Sequence, residues 1–407
     1  MREKIYTLDP TVLNQTVAQQ TQAFQKLLDI CALTGGEVNI PAGVYTIGSV
    51  RIYSNTTLKL KSGVVINGAT DLAAYQDFGE KTGIAYVNDD YFVKTWHLPD
   101  HYFSALICAY DAHDIVIDAE PGVVIDGHDL YNPDGEEGFR GPLGLVFSRV
   151  RNLTLQGYVV QNSANWSHLM EGCSNVLIQR VQVNAGHDGF NLQHSQHILI
   201  DSCVLHTGDD CVAGYDIDDL KITHCWLNTA CNGLRIGGRN ISVSDCDFVG
   251  PGLAPHLSTN TYDTHSFLKY YAMSADSNRY DGTEIRFSRM LITNCRNLIN
   301  YAWGDHDNMQ DGRPLRMVAF EQTKINKLAQ PNRVFGNGEP ITVSFAQCEI
   351  TPTEDQLFMQ LDDSVTLHFE STNFKYPATF QYQDGETFVL TGLVSRTIIA
   401  RNEVSDE

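Results

Sequence analysis

Ile198-Leu199-Ile200-Asp201-Ser202-Cys203, Leu220-Lys221-Ile222-Thr223-His224-Cys225 and Ile241-Ser242-Val243-Ser244-Asp245-Cys246 share one pattern: alternating apolar residues, a polar residue, then cysteine. Met290 to Cys295 and Val343 to Cys348 continue the series. Upstream, Asn175-Val176-Leu177-Ile178-Gln179-Arg180 and Asn152-Leu153-Thr154-Leu155-Gln156-Gly157 occupy the same slot. From Gly157 the steps are 23, 23, 22 and 21 residues, to Arg180, Cys203, Cys225 and Cys246. The later steps of 49 and 53 read as two coils each plus loop insertions. A period near 22 with several short strands per unit predicts a right-handed parallel β-helix, whose coils pair at ~4.8 Å and stack equivalent side chains in ladders. The cysteines then form one buried ladder of small apolar residues. A metal site would need a close Cys-x-x-Cys pair, and the chain has none.

Outward from the repeat, the texture changes at the N-terminus. Asp9-Pro10-Thr11 is a helix start, and Val12, Leu13, Val17, Phe24, Leu27, Leu28 and Cys31 form an apolar stripe. Gly35-Gly36 ends it, so one helix is expected over 9–34. It would cap the open end of the coil stack, where unpaired strand edges invite aggregation. Residues 1–407 thus read as a single all-β domain with a capping helix and two loop insertions, 71–104 and 251–282.

The chain carries 28 Lys+Arg against 49 Asp+Glu, a formal charge of −21, and 43% of it is hydrophobic. This is a globular composition. The acidic excess argues against nucleic acid or an anionic membrane surface as partner, since both select clustered Lys and Arg. No run approaches the ~20 apolar residues of a membrane span. Met1-Arg2-Glu3-Lys4-Ile5-Tyr6 lacks the apolar core of a secretion signal, and the ten cysteines follow the repeat rather than a pairing pattern. A reduced, cytoplasmic setting is expected. The pattern assigns no oligomeric state.

The same repeat places the polar residues. Asp188, Asp210 and Asn232 are separated by 22 and 22 residues and should stack as a column, with Asp209 beside Asp210 at the bend after Gly208. Asp and Asn commonly cap β-helix turns, and that is the structural reading of any one of them. Three acids within one coil spacing repel when all are ionised, so one should hold a proton near neutral pH. A general acid beside a general base is what glycoside hydrolysis requires.

Thr207-Gly208-Asp209-Asp210-Cys211 resembles the signature of glycoside hydrolase family 28, the polygalacturonases and their relatives. Asp188-Gly189 is similar to the last two positions of that family's Asn-Thr-Asp-Gly element. Gly35 to Tyr45, Ser54 to Leu58, Val124 to Gly127 and Asn162 to Trp166 also resemble family elements, so the likeness runs from about Asp9 to at least Gly238. The resemblance implies that Asp209 is the general acid, that Asp188 and Asp210 hold and deprotonate the attacking water, and that configuration inverts in a single displacement without metal or organic cofactor. Such a site would hold acid and base ~6.5–9.5 Å apart.

The departures from the family pattern bear on substrate. Gly186-His187 stands where the family has Asn-Thr, and Cys231-Asn232-Gly233 where it has Gly-His-Gly. Asn232 thus replaces the histidine usually close to the acid, and an amide cannot titrate. His187 is a candidate to compensate, or a solvent-facing turn residue. The family's Arg-x-Lys pair, which binds the galacturonate carboxylate, has no clear match. Lys269 and Arg235 are the candidates to stand in for it, with Arg235 equally readable as a ladder residue. The first insertion holds Tyr75, Phe78, Tyr86, Tyr91, Phe92, Trp96, His97, Tyr102 and Phe103, and the second His256, Tyr262, Tyr270 and Tyr271. With Trp166, Tyr301 and Trp303 these either wall the cleft, stacking on sugar rings, or pack their own loops. The reading is an inverting, exo-acting glycoside hydrolase with pectin-derived oligosaccharides, galacturonides or rhamnogalacturonan fragments, as substrate. The alternatives are a polysaccharide lyase acting on uronides and a non-catalytic glycan-binding β-helix.

Overall fold

The structure is a computed structural model and describes residues 4–81 and 104–398. Its strands form a continuous stack of coils, paired in parallel with their equivalents one coil away in all but the final strand. The coil is right-handed, as crossovers between parallel strands almost always are. Inward positions alternate with outward ones along each strand. One column runs Leu58, Ile117, Leu155, Ile178, Ile200, Ile222, Val243, Phe287, Phe320, Phe345 and Phe369 through the interior. At its C-terminal end the rings of Phe320, Phe345 and Phe369 stack with centroids 5.3 and 5.5 Å apart.

The polar residue before each ladder position has a backbone reason. Arg180, Ser202, His224, Asp245, Arg289, Gln322, Gln347 and Ser371 all have φ between 46° and 55°, the left-handed corner that turns the chain between strands. The residues after them form the ladder: Val181, Cys203, Cys225, Cys246, Met290, Thr323, Cys348 and Thr372; the carbonyls of the first seven accept from the next coil, and the Thr372 hydroxyl accepts from Cys348 N. Two expectations are corrected here. Arg180 lies at the corner, one residue before the ladder position that Val181 fills. Ile285 to Met290, not Met290 to Cys295, is the equivalent of Ile241 to Cys246, because Ile241 pairs with Ile285. Three coil steps rather than four therefore separate Cys246 from Cys348, and Cys295 pairs with Leu328 on a different side. All ten cysteines are free and buried.

The expected single N-terminal helix is two. A 3-10 turn, Pro10–Asn14, is capped by Asp9, and an α-helix, Val17–Thr34, starts at Thr16 with a reciprocal Thr16–Gln19 capping box. Two caps in succession divide the segment because each Asp or Thr side chain satisfies donors of the turn that follows it. Phe24, Leu28 and Cys31 face the first coil, and Gly35 ends the helix with φ 63°. Helix polar side chains finish the seal: Gln20, Thr21 and Gln25 accept from the Thr46, Gly48 and Arg51 N–H groups of the edge coil. At the other end, Thr387–Ile398 folds back antiparallel on Val365–Tyr382 and covers the last coil, a closure the repeat did not announce. Among the described residues no helix is long and apolar enough to cross a membrane.

Candidate active site

Register puts the carboxylates together. Phe190 pairs with Val212 and Val212 with Leu234, so two residues earlier Asp188, Asp210 and Asn232 stack in one column. Backbone bonds confirm the stacking: Gly189 N donates to Asp210 O at 3.0 Å and Cys211 N to Asn232 O at 3.0 Å. Asp209 sits one residue off the column, where the turn after Gly208 swings it outward, and its carbonyl is held by the hydroxyls of Thr207 and Thr229. Gly208 is required there, because a Cβ would lie 2.0 Å from the Pro255 carbonyl oxygen.

Asp188 and Asp210 are fully buried, whereas the Asp209 side chain keeps 16% exposure. Asp188 accepts from Asn191 Nδ2 at 2.9 Å and from the Asp210 N–H at 3.2 Å. Asp210 accepts from the Asn232 amide at 2.8 Å and from Arg235 Nε, whose Nη2 lies 3.7 Å from Asp188 Oδ2. Asp209 receives Arg140 Nη2 at 3.2 Å and lies 3.8 Å from His256 Nε2. One oxygen from each of the three carboxylates falls within 4.8 Å of the others. The coil rise brings Asp188 and Asp210 together in the column, and the turn after Gly208 adds Asp209 from the side.

Electrostatics separates the three. Burial, together with the charges on Asp209 and Asp210, raises the Asp188 carboxyl well above its ordinary range, against the pull of Arg235. Desolvation acts on Asp209 in the same direction, but Arg140, His256, Arg235 and His187 outweigh it and hold Asp209 below the usual carboxylate range. The proton of the cluster therefore belongs on Asp188 and a charge on Asp209. A divalent cation placed among the three would meet the Arg235 guanidinium, so the donor set does not suit one.

The cleft in front of Asp209 and Asp210 has a volume of about 180 Å³, and Glu136, Glu137, Arg140, Trp166, Arg235, His256, Lys269 and Tyr271 also line it. Two loops, 127–142 and 250–265, supply Glu136, Glu137, Arg140 and His256 to its walls and are tied by a hydrogen bond from Ser258 Oγ to Glu137 Oε2. The second insertion is thus shorter than the 251–282 read from sequence. Ser266–Tyr270 is a coil strand stacked on Leu234–Ser244, and a separate loop follows it.

The other predicted residues divide. Arg235 and Lys269 stand in register on adjacent coils and both face the cleft. Desolvation and the neighbouring Arg235 lower the Lys269 ammonium from its ordinary range. Asn232 binds Asp210 and accepts from Ser266 N. His187 is not solvent-facing: it is buried, stacked on Phe139 at 5.8 Å, and among the described residues its Nε2 finds no hydrogen-bond partner. Tyr301 is not a wall residue. It is fully buried in the core, its hydroxyl accepting from Leu315 N at 3.0 Å, because its strand position points inward. Trp303 packs against the same core and does not line the cleft. Trp166 does line it, and Tyr270 is core while Tyr271 faces the Arg235 guanidinium at 4.6 Å. Tyr75 donates to Ala69 O, and Phe78 is buried. Tyr86, Tyr91, Phe92, Trp96, His97, Tyr102 and Phe103 lie outside the described residues. Sequence reading missed Arg140, which lies in an irregular stretch between two coil strands; the turn-rich Pro133-Asp134-Gly135 was its only signal.

A coil stack with aspartates grouped in a loop-walled cleft falls in the class of β-helical carbohydrate proteins. The chain belongs to glycosyl hydrolases family 28, whose sequence profile matches residues 32–245. An exo-poly-alpha-D-galacturonosidase of Dickeya chrysanthemi is 38% identical over 363 aligned positions, covering 76% of this chain. The chain spans 58% of that relative's length. In fold, the chain is similar to a hyperthermoactive exopolygalacturonase from Thermotoga maritima, with TM-score 0.65 and 15% identity over 96% of this chain and 95% of that one. It is also similar to a polygalacturonase from Erwinia carotovora, with TM-score 0.63 and 16% identity over 91% and 96%.

Proposed function

We propose that the protein is an exo-acting glycoside hydrolase that removes a terminal sugar from pectin-derived oligosaccharides. The observation that carries this reading is the carboxylate trio facing a cleft of about 180 Å³ closed by two tied loops. That volume is below the ~300–1,000 Å³ of sites for drug-sized ligands and suits one sugar rather than a run of them. The related Dickeya protein is named for exo action on polygalacturonate.

Asp209 is the general acid in this reading, since it alone of the three is both partly exposed and offset toward the cleft. Asp210, bound by Arg235, deprotonates the attacking water that Asp188 helps to hold, and the product inverts. The anomer of the product is the decisive measurement for this assignment. Arg235 and Lys269 supply positive charge for a uronate, although Arg235 is committed to Asp210. Ten buried free cysteines support a reducing, cytoplasmic setting, which cell fractionation tests.

A panel of pectic and neutral oligosaccharides, with products followed by proton NMR, tests the whole reading. Release of an inverted terminal sugar is the expected result. An unsaturated uronide product would establish a lyase, and retention of configuration would reassign the water-holding carboxylates.

A further inference from the structure

A general acid must hold a proton when the leaving group departs, yet Asp209 rests against a guanidinium that favours its charged form. We propose that Arg140 is a counter-ion displaced by substrate: in the free protein it pairs with Asp209, and a bound glycoside draws the guanidinium onto its own oxygens, leaving Asp209 able to carry the proton it donates. The inference rests on Asp209 being the acid.

The geometry supports such an exchange. Arg140 lines the same cleft as Asp209, so an acceptor oxygen entering the cleft meets both. Its anchor is elsewhere: Nη2 donates to Glu137 Oε1 at 2.9 Å, and Nε lies 3.6 Å from Glu136 Oε2. The contact to Asp209 at 3.2 Å is longer than the ~2.7–2.9 Å of a strong charge-assisted bond. A guanidinium with five donors can keep Glu137 while releasing Asp209. The Ser258–Glu137 tie fixes the two loops to each other, so the anchor stays in place while the fork changes partner.

The remaining groups that face Asp209 do not share this freedom. Arg235, His187, Asp188, Asp210 and Cys231 belong to the coil body, and Arg235 is held by Asp210. His256 comes from the second loop, and Thr259 Oγ1 lies 3.3 Å from its Nδ1. The proton that Asp209 gains comes from solvent as the complex forms, and passes to the leaving-group oxygen.

Two pH profiles read the exchange, because kcat/KM reports the free protein and kcat the complex. They are recorded with the member of the panel above that is turned over fastest. If no member is turned over, the functional reading and this inference fall together. In the parent protein the alkaline limb of kcat should lie about one pH unit or more above that of kcat/KM. In Arg140→Gln the kcat/KM limb should move up until the two coincide, and Arg140→Lys should keep part of the gap. Coincident limbs in the parent, or an unchanged gap in Arg140→Gln, overturn the proposal. If Arg140→Gln does not melt cooperatively, Ser258→Ala carries the test: it should narrow the gap, and an unchanged gap overturns the proposal. Full activity in Asp209→Asn would overturn the acid assignment instead, whereas an inactive Asp209→Asn with a persistent gap in Arg140→Gln overturns this inference alone.

Discussion

Arg235 donates from Nε to Oδ2 of Asp210, which lies one coil away, and the same guanidinium reaches within 3.7 Å of Asp188. The cation is the ion-pair partner of the buried Asp210 and lies beside the equally buried Asp188. Replacing it leaves the Asp210 carboxylate buried without that partner, which in buried pairs costs about 3–5 kcal/mol. Arg235→Met should lose stability of that order at pH 7 by urea denaturation.

Asp188 and Asp209 should give opposite pH trends in stability. Asp188 is raised in the fold, so its contribution is full below the unfolded carboxyl range and is lost as pH rises through its folded value. Asp209 is lowered, so its contribution is present above that range and is lost as pH falls. Melting temperatures from pH 3 to 8 should therefore show Asp188→Asn gaining on the parent as pH rises and Asp209→Asn losing on it. Parallel curves for the two variants would refute the assigned directions.

The acid role makes a kinetic prediction. Asp209→Asn keeps the size of the side chain and removes the donated proton, so turnover should fall by ~10²–10⁴. The fold should remain intact by circular dichroism.

Tyr301→Phe deletes one hydroxyl that accepts from Leu315 N. A loss of about 1–3 kcal/mol is expected from the orphaned buried N–H. KM should not change, because the ring lies in the core rather than in the cleft.

Phe345 sits between the rings of Phe320 and Phe369. Phe345→Ala should cost about 3–5 kcal/mol by denaturant titration. Activity measured below its melting transition should be retained, since no cleft residue belongs to that stack.

The coil and the aspartate column were legible from spacing alone. Asp188, Asp210 and Asn232 recur at one interval because parallel in-register pairing forces equivalent residues into line, so counting residues was enough to stack them. The same counting misplaced Cys295: the coil after Cys246 carries a long insertion, and a local Cys match outranked the true partner Met290. Tyr301 and Trp303 were misread for a related reason. Aromatic identity does not say which way a strand residue points; only register does.

What the sequence determined by itself is the periodic part, the β-helix and the column of Asp188, Asp210 and Asn232 with Asp209 beside it, because backbone pairing repeats and repetition is visible in one dimension. What only the tertiary structure decided is the state of those acids. Arg140 and His256 come from loops with no period, 69 residues before and 47 after Asp209. Their approach to its carboxyl is set by how two insertions fold over the coil. Coulomb forces act through space, and the charge on Asp209 follows from neighbours that the spacing of its own motif never touches.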